Sequence, residues 1–270
     1  MIICPVCKNE LIKIDKSYKC INNHLFYISK NGYVNLILSN KKMSKNPGDN
    51  KEMVKSRHDF LKTEKYHKLK EELYNIISKY NHDLFIDVAC GEGYYTNFLS
   101  KLFKKSIGID ISKEAIIQAL KEKSEVKYLI ASMYNLPIQD NCVDVLLNCF
   151  APMCIEEFKR VLKNDGIFIR VIPNEYHLYE LKKVLYPNTY INQVFDPKLE
   201  GFDLLDTIYV DDEIELNNSE INDLFKMTPY YYRSPIETSN NLKQLNYLKT
   251  RISFIIYVYK TAWIKWLKDV

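Results

Sequence analysis

Leu84-Phe85-Ile86-Asp87-Val88-Ala89-Cys90-Gly91-Glu92-Gly93-Tyr94-Tyr95 decides the fold. Its first five residues form a short apolar run carrying one carboxylate, which reads as a buried strand. Gly91 and Gly93 follow, two of only 7 glycines in the chain, and a helical pattern opens behind them. Glycine is needed where the backbone turns with positive φ or comes close to a ligand. Strand, glycine turn and helix together make the first half of a nucleotide-binding unit. Further on, Gly108-Ile109-Asp110 puts a carboxylate at the end of the next strand. A carboxylate there can accept hydrogen bonds from both ribose hydroxyls of a nucleotide.

Around this stretch, strands and helices alternate. Strands are expected at 84–88, 106–110, 126–130, 143–148 and 166–172, and helices at 94–103, 113–122, 154–162 and 177–185. Residues 205–215, a helix at 218–226 and a last strand at 251–260 complete the set. This alternation predicts an α/β, Rossmann-like domain over 81–270, with a largely parallel sheet covered on both faces. Over 51–80, apolar residues recur at three and four positions and predict two helices bent near Tyr66. They are expected to form a helical linker over 41–80. The last ten residues, TAWIKWLKDV, read as either a tail or a docking helix.

The glycine loop admits two cofactor classes. NAD would want a third glycine for close helix packing, and Thr96 stands there. Asp87 and Glu92 would repel a pyrophosphate but not a sulfonium bearing an ammonium group. The choice falls on S-adenosylmethionine. Ala131-Ser132-Met133-Tyr134-Asn135-Leu136-Pro137 is placed against the adenine, with Ser132 as a contact. Asp144 and Asn148-Cys149-Phe150-Ala151-Pro152 are placed beside the methyl acceptor.

Cys4, Cys7, Cys20 and His24 follow the spacing C-x2-C-x12-C-x3-H. Two close pairs of soft ligands a dozen residues apart suit one tetrahedral Zn²⁺. Four protein ligands leave no open position, so the metal is structural. Residues 1–40 carry too little apolar surface to fold unaided, and zinc supplies the staple of a ribbon-like module. The remaining cysteines, 90, 142, 149 and 154, read as small buried residues.

The chain has 270 residues, 47% of them hydrophobic, which suits a packed core and excludes wholesale disorder. Its net charge of +4 is uneven: residues 1–70 hold 15 Lys and Arg against 6 Asp and Glu, a balance of +9. A basic front end of this kind suits an anionic partner. Lys8, Lys13, Lys16, Lys19, Lys41, Lys42, Lys45 and Arg57 are the candidate phosphate contacts. No apolar run is long enough to span a bilayer. Cys4, Pro5 and Cys7 interrupt any leader-like N-terminus, and 7 cysteines without a secreted context suggest reduced thiols in a cytoplasm.

These motifs resemble the bacterial 23S ribosomal RNA guanine-N1 methyltransferases, the family that modifies helix 35 and includes macrolide-resistance members. The resemblance spans nearly the whole chain. Its most specific pieces are the Cys4-Pro5-Val6-Cys7 turn with Cys20 and His24, Gly32 to Leu36, Pro47-Gly48-Asp49, Arg57 to Leu61, Cys90 to Tyr95, Asp110 to Lys113, Ala151-Pro152 and Met227-Thr228-Pro229. It implies a zinc site and an S-adenosylmethionine pocket, to which Asp87, Gly91, Glu92, Gly93, Tyr94, Asp110 and Ser132 would belong. By position it adds Tyr66 and His177. Ala89 departs from the usual glycine, and Asn148-Cys149-Phe150 departs from a more aliphatic stretch. The implied activity is methylation of guanine N1 in 23S rRNA, by a cytoplasmic protein that could pair as a homodimer. N1 lies on the pairing edge, so the base must be unpaired or flipped out. Phe150 and Tyr230-Tyr231-Tyr232 are candidate stacking surfaces. A small-molecule methyltransferase and a non-catalytic zinc-ribbon module are the rival readings.

Overall fold

The computed structural model describes residues 1–38, 47–81 and 83–262. Lys41, Lys42, Lys45 and most of the C-terminal ten residues lie outside the described residues. β1 (Ile12–Ile14), β2 (Ser17–Lys19) and β3 (Leu25–Tyr27) form a small antiparallel sheet. The main sheet contains β4 (Val34–Asn35), β5 (Leu84–Val88), β6 (Lys105–Asp110), β7 (Lys127–Ile130), β8 (Val143–Cys149), β9 (Leu162–Pro173), β10 (Phe202–Asn217) and β11 (Tyr247–Thr261). Its order is β10-β11-β9-β8-β5-β6-β7-β4. The strands from β4 to β9 are parallel, and β11 runs antiparallel to both its neighbours.

β5 is buried at every position, as a central parallel strand covered on both faces must be. Alternation along β11 sorts its side chains: Phe254, Ile256 and Val258 face one core, and Ile255, Tyr257 and Tyr259 face the other. The first core is closed by α1 (Lys51–Leu61), α2 (His67–Ile77), α3 (Tyr94–Leu99), α6 (Tyr179–Leu185), α7 (Asn218–Lys226) and α9 (Ile236–Lys243). α5 (Ile155–Val161) closes the second, while α4 (Lys113–Ala119) packs with β7 in a smaller cluster. Caps set several starts. The Asn50 side chain accepts from Met53 N–H at 3.0 Å, and Asn217 with Glu220 forms a capping box on α7.

The first 40 residues are joined to the main sheet: β4 pairs with β7, Ile3 N–H donates to Pro137 O at 2.9 Å, and Ile2, Leu11, Tyr18, Val34 and Leu36 join the second core. The helices between 51 and 77 pack on the same sheet. Phe60, Leu61, Leu69, Leu73, Ile76 and Ile77 are buried against the sheet, because their helical stripe matches the apolar face of β5, β8 and β9. The bend falls where expected, at Tyr66. α8 (Tyr230–Arg233) and α9 carry no strong apolar period and escaped the sequence reading. The helix expected at 94–103 ends at Leu99 and continues only as a 3₁₀ turn, Ser100–Leu102.

A chain beginning at Pro47 would therefore bare the β7 edge and the cover over Leu129 and Ile138. It should unfold at a markedly lower temperature than the full chain and bind a hydrophobic dye. Equal melting midpoints would show that the first 38 residues are an independent appendage.

Candidate active site and metal centre

The four zinc-ligand candidates converge. Cys4, Cys7, Cys20 and His24 offer ligand atoms that all lie within 4.8 Å of one another. Cys7 Sγ is 3.6 Å from Cys20 Sγ, and His24 Nδ1 is 3.3 Å from Cys20 Sγ and 3.6 Å from Cys4 Sγ. Those are close to the edges of a tetrahedron with Zn–S near 2.3 Å and Zn–N near 2.0 Å, roughly 3.5–3.8 Å. Left-handed residues shape both turns: Lys8 (φ 62°) after the first pair and Asn23 (φ 63°) before His24. Hydrogen bonding at Asn9, with help from His24 and Cys20, draws the Cys7 thiol down to about 6, toward the thiolate that a metal needs. The donor set fits one structural Zn²⁺.

A cavity of about 880 Å³ opens at the C-terminal ends of β5, β6, β7 and β8. β5 is flanked by β6 on one side and β8 on the other, so the chain order reverses here, the place where open α/β sheets take ligands. Asp110 ends β6. Its Oδ2 accepts from Gly91 N–H at 2.8 Å, and its Oδ1 from Ser112 N–H at 2.7 Å. Burial raises its pKa, and those two amides oppose the rise. Gly91 lines the cavity at φ +55°, and nothing lies within 4 Å of where its Cβ would sit, so the space above it is free for a ligand. Gly93 serves differently. A Cβ there would meet Tyr128 Oη at 2.3 Å, so this glycine permits helix packing and does not line the cavity. Ala89 takes the left-handed conformation (φ 62°), which costs a residue with a Cβ about 1 kcal/mol.

Four carboxylates border the cavity, Asp49, Asp87, Glu92 and Asp110, with Arg57 the one cation among the described lining residues. Asp87 is buried in β5. Its Oδ2 accepts from Thr96 Oγ1 at 2.6 Å while Oδ1 has no partner. Burial lifts its pKa to about 7, against the Thr96 bond. Glu92 behaves alike: Oε1 lies 3.3 Å from His58 Nδ1, Oε2 is unpartnered, and burial carries it to about 7 against the pull of His58. Two buried, half-satisfied carboxylates suit a cationic ligand and not a pyrophosphate.

Tyr66, Tyr94 and Ser132 also line the cavity. Tyr66 is fixed edge-on between Phe60 and Phe254, with centroids at 5.2 and 5.0 Å. Tyr94 donates through Oη to Glu64 Oε2 at 3.0 Å. Ser132 Oγ accepts from Tyr134 N–H at 3.2 Å and caps the following turn. His177 is not among the lining residues. It lies behind Tyr66 and packs on Phe254, and its Nδ1 accepts from Ser253 N–H at 3.2 Å. Burial, helped by Lys182, lowers its pKa to about 3, so the ring is neutral.

Several other assignments move. Asp144 sits at the opposite end of β8, where it accepts from Leu84 N–H at 2.9 Å and pairs with Lys163 at 2.7 Å. Arg57, expected among the phosphate contacts, turns inward to Asp49 and Met227. Lys8 is tied to Asn135. Cys90, Cys142, Cys149 and Cys154 are only partly buried, and Cys90 and Cys149 line the cavity. Phe150 lines it too, 43% exposed, whereas Tyr231 packs on Phe225. Asn148, fully buried, holds this wall by donating to Val88 O at 3.3 Å and Pro152 O at 3.2 Å.

A Bacillus subtilis (strain 168) protein named "Putative 23S rRNA (guanine-N(1)-)-methyltransferase YxjB" is 31% identical over 265 residues, covering 91% of this chain and 92% of that protein. The chain belongs to the 23S rRNA (guanine-N1)-methyltransferase family. The "23S rRNA (guanine(748)-N(1))-methyltransferase" of Streptomyces fradiae is 29% identical over 189 residues, 67% of this chain and 66% of that one. Family models divide the methyltransferase chain as its motifs do, with "RlmA, N-terminal", a zinc ribbon, matching 2–45 and "Methyltransferase domain" matching 86–170. In fold, it resembles a chain of the solved structure "Complex between the Haloferax volcanii Trm112 methyltransferase activator and the putative methyltransferase", at TM-score 0.50 and 14% identity, covering 80% of this chain and 100% of that one.

Asp87 and Glu92 keep their protons to about pH 7 when folded but release them near pH 4 when unfolded. Between those limits the folded state binds more protons. Their contribution to stability therefore falls as pH rises from about 4 to about 7, then stays level. A cation in the cavity favours the ionised carboxylates. S-adenosylmethionine binding at pH 7 should release protons, measured calorimetrically in buffers of different ionisation enthalpy, and Asp87→Asn should release fewer. Buffer-independent heats would contradict this electrostatic picture.

Proposed function

We propose that this chain transfers a methyl group from S-adenosylmethionine to N1 of a guanine in 23S ribosomal RNA, in the helix 35 region. The identity to the Bacillus protein over 91% of the chain carries this reading, with a zinc ribbon matched at 2–45 and a methyltransferase domain at 86–170. A small-molecule methyltransferase would need only the second of these.

S-adenosylmethionine, when bound, supplies an electrophilic methyl group. The residues supply alignment and a dry site. Asp110 is assigned to the ribose hydroxyls, Ser132 to the adenine side, Gly91 to the close backbone approach, and Asp87 and Glu92 to the cationic end. Tyr66 and Tyr94 wall the cavity, and Gly93 acts by packing α3. His177 is assigned an indirect role, holding Phe254 behind Tyr66. The Cys149–Phe150–Ala151–Pro152 wall is assigned to the acceptor base, with exposed Phe150 as the face on which a flipped guanine would stack. Lys13, Lys16, Lys19, Lys41, Lys42 and Lys45 are assigned to RNA phosphates, while Lys8 is held by Asn135. An rRNA substrate supports a cytoplasmic location.

The test is transfer of labelled methyl to unmodified 23S RNA against a panel of small acceptors, followed by primer extension. N1 methylation blocks pairing, so one strong stop near helix 35 is expected. Asp110→Ala should weaken S-adenosylmethionine binding by about 1.5–3 kcal/mol, the range for a hydrogen bond to a charged group, and abolish the stop. Label entering small acceptors alone would overturn the assignment.

A further inference from the structure

The sequence counts Arg57 among surface phosphate contacts, yet its side chain borders the cavity and is only 25% exposed. One arm of the guanidinium pairs with Asp49, and the other donates to the Met227 carbonyl at 3.2 Å. The Asp49 carbonyl accepts from Ser112 Oγ at 2.7 Å. Ser112 N–H in turn donates to Asp110 Oδ1 at 2.7 Å. An unbroken series of hydrogen bonds thus runs from the end of α7, through Arg57 and the 47–49 loop, to the carboxylate assigned to the ribose.

The loop is seated closely. At Gly48 (φ +80°) a Cβ would fall 2.9 Å from Ser112 Cβ and 3.1 Å from Ser112 N, so only glycine lets the loop lie on the Asp110 turn. Asn50, next along, donates to Tyr232 Oη at 2.9 Å and ties the same loop to α8. The loop therefore bridges two elements that share no strand, the β6–α4 turn and the α7–α8 turn. A guanidinium suits this place because its planar fork satisfies a carboxylate and a carbonyl at once, which the single ammonium of a lysine cannot reproduce in the same geometry.

We propose that Arg57 is a positioning residue: through Asp49 and Ser112 it holds the Asp110 turn in its cofactor-binding shape and fixes the loop that covers it. This rests on the reading of the cavity as the S-adenosylmethionine site. It acts at one remove, so disrupting either end of the Arg57–Asp49 pair has the same consequence.

The experiment measures S-adenosylmethionine affinity by calorimetry, cofactor-free melting temperature and the salt dependence of RNA binding. The proteins are wild type, Arg57→Lys, Asp49→Asn and the double variant. Each single change should weaken the cofactor about tenfold, as loss of a hydrogen bond to a charged group does. The double variant should be no weaker than the worse single one. Melting temperature and RNA salt slope should stay at wild-type values. Wild-type affinity in Asp49→Asn with a loss confined to Arg57→Lys would mean direct contact with the ligand and overturn the proposal. So would additive losses, or a flattened salt slope in Arg57→Lys with cofactor affinity intact, which would restore the phosphate role. Should Arg57→Lys fail to fold, Asp49→Asn alone must still show the loss. A wild-type protein that binds no S-adenosylmethionine would refute the reading of the cavity, whereas binding that both single variants retain in full would refute only the role of Arg57.

Discussion

Asp110 accepts a hydrogen bond from Gly91 and another from Ser112, and the site is built around that double acceptance. The first bond joins the glycine loop after β5 to the end of β6. The second fixes the turn that starts α4, whose cap is Ser112 itself, accepting from Ala115 N–H at 3.2 Å. Neighbouring parallel strands bring these loops together but do not set their spacing. The carboxylate does. Lost from the centre, it would leave two amides without their acceptor, a cost of order 1–3 kcal/mol for each unpaired group.

The second constraint is charge. Asp49, Asp87, Glu92 and Asp110 around one cavity, faced there by Arg57, can coexist only if some hold protons or a cation enters. Burial makes the first choice at Asp87 and Glu92, and ligand binding makes the second. The zinc ribbon is tied to this arrangement by the sheet, not by a hinge. It supplies β4 and the Ile2 bridge to Ile138, and β7 and the 131–135 wall of the cavity stand on that edge. Metal that holds Cys4, Cys7, Cys20 and His24 in place would therefore also brace the 131–135 wall of the cavity.

The fold was legible because its deciding signals are local. A buried strand, two glycines and a carboxylate one strand later need no distant partner to be recognised, and the four zinc ligands are fixed by spacing alone. What escaped depends on long-range pairing. Val34 to Leu38 read as one apolar piece of the front end, but nothing local says that β4 joins the main sheet beside β7. Arg57 reads as a surface cation until Asp49 and Met227 are brought to it from 8 and 170 residues away. Asp144 reads as an acceptor-side acid because a strand's two ends look alike in sequence; Lys163 and Leu84 N–H claim it at the far end. His177 needed the burial of Phe254 to show that it stands behind the wall and not in it.

Which atom receives the methyl group is the centre of the account, and the modified nucleoside answers it most directly. Unmodified 23S RNA treated with the protein and methyl-labelled S-adenosylmethionine would be digested to nucleosides and separated by chromatography with mass detection. The account predicts that the label appears as 1-methylguanosine. Label in another methylated nucleoside, such as 2-methylguanosine or 7-methylguanosine, or none in RNA at all, would contradict it.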